Sequence, residues 1–156
     1  ILLYGLWYLG YDLWLKKVGH LDNLIIDNLV VLSFETLTLF DFNVNLDYHK
    51  IWIHQSTTAV LVGSGCNGLE LFALFTGFIL AFNGSWKNKI WFIPAGLLSI
   101  HFLNVLRIVM LTLNGRYSPS FLEFNHKYTF TIILYCLTFF GWMLWVKYFS
   151  VTKNKH

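Results

Sequence analysis

Charge is what this 156-residue sequence has least of: Asp, Glu, Lys and Arg together make up 12% of it, about half the share usual in soluble domains. Hydrophobic residues account for 56% and aromatics for 19%, an apolar surplus that fits a lipid environment better than one oversized core. The net charge of +3 is small and dispersed, with no basic run longer than two residues, so no nucleic-acid partner is expected. Cysteine is scarce as well. Cys66 and Cys136 are the only two, too few for a disulfide framework. The sequence contains no P-loop, no GxSxG and no HExxH, and neither a cofactor nor a resident metal is expected. No segment alternates polar and apolar residues as barrel strands do.

What the sequence does have is long apolar runs. A helix needs about 20 mostly apolar residues to cross about 30 Å of hydrocarbon at 1.5 Å per residue. Residues 128–146 carry no acidic or basic residue, and 90–113 are interrupted only by His101, Asn104 and Arg107. A third run covers 69–86, with Glu70 near its start, and a weaker one covers 24–40 with Asp27 and Glu35. The sequence starts at Ile1 without methionine, already inside an apolar stretch, so residues 1–15 are expected to end a fifth span of a truncated chain. The fold class implied is all-α: a polytopic transmembrane helical bundle of about five spans, with 1–156 as a single integral membrane domain.

Orientation follows from the basic residues. If the segments cross alternately, Lys16, Lys17, Lys87, Lys89, Lys147, Lys153 and Lys155 share one side, and the other receives Lys50, Arg116 and Lys127. The lysine-rich side is then cytoplasmic, and the loops 41–66 and 114–126 lie outside. That topology gathers three chemically able residues from separate spans. Cys66, in "VGSGCNGLELF", sits where the outer loop enters the third run. Arg107, in "LNVLRIVML", lies six residues, roughly 9 Å, below the outer end of the fourth. His126, in "FNHKYTF", opens the last. Cysteine with histidine is the minimum for covalent thiolate catalysis, the histidine serving as base and then acid. Arginine lowers a thiol pKa or holds an oxyanion.

Each of these residues also has a plainer reading. A membrane cysteine is usually a small hydrophobe, which suits mid-span Cys136. Cys66 differs in having Gly65 and Gly68 beside it, which permit close backbone approach, and in adjoining a helix start. There Asn67 as N-cap with Glu70 three residues on resembles a capping box, and a helix N-terminus favours a thiolate. Arg107 within a span is functional by default, yet it also suits a structural pair with Glu70. Asn104, three residues before Arg107, shares its face and suits either orienting the guanidinium or bonding between helices. His101 reads as a helix-packing hydrogen bonder, and His49 and His54, five apart in a loop, make a weak metal pair.

The order "SGCNGLELF", then "NVLRI" about forty residues later, then a histidine at the start of the last span resembles the exosortase/archaeosortase family over roughly residues 55–146. The resemblance implies a multi-pass membrane cysteine protease or transpeptidase of the cytoplasmic (inner) membrane, with its active site on the outer side. A Cys–Arg–His set is taken as catalytic in that family, and it carries over to Cys66, Arg107 and His126, with Asn67, Glu70 and Asn104 in support. The implied partners are the lipid bilayer and exported proteins ending in a short motif, a transmembrane helix and a basic cluster. Cleavage beside the motif through a Cys thioester would pass the protein to an acceptor. The sequence departs from the family in Asn67, where many members have serine after the cysteine, and in its small number of spans. Two other classes fit the residues: a non-catalytic transporter subunit or assembly partner built on an Arg107–Glu70 pair, and a membrane acyltransferase using the same Cys–His logic on lipid acyl groups.

Overall fold

A computed structural model describes residues 16–56, 58–63 and 66–150, with side chains from residue 22 onward. Helix α1 covers Lys16–Leu39, and three short strands follow: β1 (Val44–Asp47), β2 (Lys50–Ile53) and β3 (Val60–Leu61). Helices α2 (Leu69–Ala81) and α3 (Trp86–Tyr117) come next. A final helical stretch runs through α4 (Pro119–Phe124), a π turn (Asn125–Thr129), α5 (Phe130–Leu144) and a second π turn (Trp145–Phe149).

The end of α1 is set by Asp41, which adopts the left-handed conformation at φ 66°. Phe42 N–H then reaches Leu37 O at 3.2 Å and Asp41 N–H reaches Thr38 O at 2.9 Å, the paired bonds of a Schellman stop. Phe42 packs back on the cluster containing Leu37, so the chain leaves α1 at a fixed angle and enters the sheet.

The sheet is antiparallel in the order β1-β2-β3, with Asp47 opposite Lys50 around a Tyr48–His49 turn. Ile51 and Ile53 point inward and are buried while Trp52 between them is half-buried, as the two-residue period of a strand requires. His49 stacks on Tyr48 and its Nε2 lies 2.8 Å from the Asp27 carboxylate of α1, clamping the turn to the helix. The sheet corrects the all-α expectation. In "KIWI" every residue after Lys50 is apolar, so the inside–outside alternation exists in burial but not in residue type.

Among the described residues, two helices are long and apolar enough to cross a membrane, Trp86–Tyr117 and Pro119–Phe149. The expected run 69–86 shortens to the 13-residue α2, about 20 Å long, because the chain breaks at Phe82, which turns extended. Lys89 seals that end: its Nζ donates to Leu80 O at 2.9 Å and to Phe82 O at 2.8 Å. The 24 residues of α1 carry too many acidic and basic groups, Asp22, Asp27 and Glu35 among them, to meet the same criterion. The expected span 1–15 lies outside the described residues, and among those described two of the five expected spans meet the criterion. The expected outer loop 114–126 is itself largely helical, because α3 continues to Tyr117 and Pro119 starts the next helix at once, the helical position proline suits best.

Two cores hold the helices together. One unites α1 (Leu29, Leu37), the sheet (Ile51, Val60) and α3 (Ile108, Leu111) around Cys66. The other joins Leu71, Phe75 and Ile79 of α2 to Ile100, Leu134 and Trp145. Phe75 lies so close to Gly96 of α3 that a Cβ there would strike its ring, the close helix approach that small residues allow in membranes. Outside these cores, large apolar side chains such as Phe102, Ile132, Phe139 and Phe140 are exposed, a surface suited to lipid rather than to water.

Candidate active site

Cys66 sits in a single tight turn just before α2, with its N–H bonded to Gly63 O at 2.9 Å. Asn67 follows and is buried; its Oδ1 accepts the Leu69 N–H at 3.0 Å, an Asx turn leading into α2, whose N-cap is Gly68 and not Asn67, so the expected capping box with Glu70 is not formed. Asn67 Nδ2 donates to the Asp22 carboxylate of α1, so one amide ties the turn to two helices. Gly68 is the last residue before α2 and takes φ 75°, a conformation that costs any residue with a Cβ. Its Cα faces Asn104 of α3 so closely that a Cβ would overlap the Asn104 amide nitrogen.

From the opposite side comes His126, carried by the π turn Asn125–Thr129. Such a turn widens the helix by one residue and often marks a functional position. His126 Nε2 lies 2.9 Å from Cys66 Sγ, although 60 residues separate them in sequence. The thiol can donate to a neutral imidazole across this contact, or an imidazolium can donate to the thiolate. The Cys66 side chain is 5% exposed and His126 half-buried, so the pair sits in a largely enclosed space.

Arg107 approaches along α3 and is buried at 8% exposure. Its Nη2 donates to the backbone carbonyl of His126 at 3.1 Å, and Thr131 Oγ1 donates to the same carbonyl at 3.4 Å. The guanidinium therefore holds the π turn that carries the imidazole, while its Nε is buried without a partner among the described residues. Asn104, one turn earlier on the same face, is 0% exposed, and neither its Nδ2 nor its Oδ1 has a partner among the described residues.

The six residues singled out by sequence thus divide. Cys66, Asn67, Arg107 and His126 converge through the contacts above, and Asn104 borders them through Gly68. Glu70 does not join. It is exposed in the first turn of α2, and it forms no ion pair or hydrogen bond with Arg107 among the described residues. The Arg107–Glu70 pair is therefore corrected: Glu70 faces outward beside the positive end of α2, where an acidic residue is favoured. Asn104 neither bonds Arg107 nor bridges helices. His101 bonds Asn28 of α1 at 2.8 Å, an inter-helix contact, and the described residues contain no metal-like cluster. Asp22 and Thr131 escaped the sequence reading, since nothing in their spacing ties them to Cys66 or His126.

What this arrangement offers chemically is a thiol with an imidazole in proton-transfer range and an arginine fixing the imidazole from behind. The family model for transmembrane exosortases (Exosortase_EpsH) matches residues 15–144. No curated protein and no solved structure matches the chain.

Proposed function

The chain belongs to the transmembrane exosortase family, and from that starting point we propose that it is a membrane cysteine protease or transpeptidase that removes the C-terminal sorting signal of exported proteins. The observation that carries the reading is the 2.9 Å approach of Cys66 Sγ to His126 Nε2 across 60 residues of sequence. In the proposed reaction His126 takes the thiol proton and Sγ bonds to the scissile carbonyl carbon. The imidazolium then protonates the departing amine, leaving a thioester on Cys66. An amine, hydroxyl or water releases the acyl group, with His126 again accepting the proton. Arg107 keeps His126 in place and brings positive charge to a site in which negative charge develops.

The proposed substrate is an exported protein ending in a motif, an apolar helix and a basic cluster, its helix lying in the bilayer beside α3 and the last helix. Support for the depth of the site comes from the sheet. β1 and β3 each have one neighbouring strand, and their open backbone edges are not tolerated in hydrocarbon. β3 ends at Leu61, five residues before Cys66, which favours an active site at the membrane surface. The lysine distribution favours the outer face of the cytoplasmic membrane.

The test replaces Cys66 with alanine, with Cys136→Ser as control, and follows maturation of a tagged tail-bearing protein in cells. Loss of processing with Cys66→Ala alone is expected. Normal processing by that variant, at normal membrane levels, would sink the reading.

A further inference from the structure

Asn104 is the one feature of the site that the proposed chemistry leaves unused. Its amide can form up to four hydrogen bonds, yet it is 0% exposed and both Nδ2 and Oδ1 lack partners among the described residues. A buried polar group in that condition is costly, and an apolar side chain would avoid the cost. Arg107 Nε, one turn along the same face of α3, is buried and unpartnered in the same way. The Asn104 nitrogen also lies against Gly68, two residues past the nucleophile. Two spare N–H donors thus stand on the helix face behind the turn that carries Cys66. The thiol itself is 5% exposed, and the imidazole it meets sits on the turn whose carbonyl Arg107 Nη2 holds.

We infer that Asn104 Nδ2, together with Arg107 Nε, forms the oxyanion site of the enzyme. The inference rests on Cys66 being the nucleophile. When Sγ bonds to the acyl carbon, the π pair of the C=O moves onto oxygen, and the two N–H groups receive that charge. They are most useful at this stage because nothing else in the protein competes for them. Asn104 is then a catalytic residue rather than a support for the guanidinium.

The experiment uses two reagents that meet the same thiol but differ in whether an oxyanion forms. p-Nitrophenyl acetate acylates it: Sγ attacks, the tetrahedral anion collapses, p-nitrophenolate leaves and a thioester remains. Iodoacetamide alkylates it by displacement of iodide, with no oxyanion. The full chain carrying Cys136→Ser is reconstituted in liposomes, and the nitrophenolate burst and the alkylation rate of Cys66 are measured with and without Asn104→Ala. Acylation is expected to slow about 100-fold, the loss typical of removing one oxyanion donor, while alkylation stays within about twofold. Unchanged acylation, or equal slowing of both reactions, overturns the inference. Absence of any Cys66-dependent burst before Asn104 is altered overturns the nucleophile reading itself, so the two failures are distinct.

Discussion

Gly68→Ala tests the geometry beneath Cys66 from two directions. The backbone at Gly68 stands at φ 75°, where an L side chain costs about 1–2 kcal/mol. The new Cβ would also press on the Asn104 amide, nearer than real Cβ contacts occur, and Asn104 is fully buried. Overpacking of that kind costs about 1–3 kcal/mol, so the variant should lose about 2–5 kcal/mol in all. The two parts separate in a double-mutant cycle. Against an Asn104→Ala background the steric part vanishes and the backbone part stays, so Gly68→Ala should then cost only about 1–2 kcal/mol. Unfolding of the purified protein in mixed detergent–SDS micelles measures all four corners of the cycle. The alkylation rate of Cys66 should fall in the single variant, because the turn must shift away from His126. A Gly68→Ala protein within about 0.5 kcal/mol of the parent, or one that costs the same in both backgrounds, would refute the close approach of turn and helix.

Other perturbations probe the supports. Lys89→Met keeps the apolar stem but removes two charge-assisted bonds to the end of α2. It should lower stability in the same micelle assay by about 2–4 kcal/mol, and parental stability would mean that the ammonium does not cap α2. Arg107→Lys keeps the charge but loses the planar fork that reaches the His126 carbonyl while leaving Nε free. A lost bond to a charged group is worth about 1.5–3 kcal/mol, so acylation of Cys66 should slow about ten- to a hundredfold. A parental rate would show that charge alone suffices.

Much of the site was readable from sequence because membrane topology is a strong constraint. Once 90–113 and 128–146 are spans, Cys66, Arg107 and His126 have little choice of depth, and the described contacts bring them together. The capping box expected of Asn67 and Glu70 did not form, because Gly68 takes the N-cap position and Asn67 bonds the Leu69 N–H from one residue further back. The sheet was not legible, because strands of two to four residues take their register from α1 and α3 rather than from their own pattern. Glu70 misled for a similar reason. Depth suggested Arg107, but depth says nothing of rotation about the helix axis, and α2 turns Glu70 outward. Asn104 was seen without its unpartnered amide, because a missing hydrogen bond has no signature in sequence.

The π turn at Asn125–Thr129 carries a consequence for how this chain can vary. It holds one residue more than an α-helical turn would, and it lies between Pro119 and α5. Deleting a single residue there would leave a regular helix of nearly the same length, spanning the bilayer as before. Everything on the Pro119 side would nevertheless rotate by about 100° relative to α5. The imidazole would swing off the thiol while hydropathy, composition and helix count stayed unchanged. Gain or loss of one codon in this turn is therefore a silent change for insertion and a decisive one for the thiol–imidazole contact.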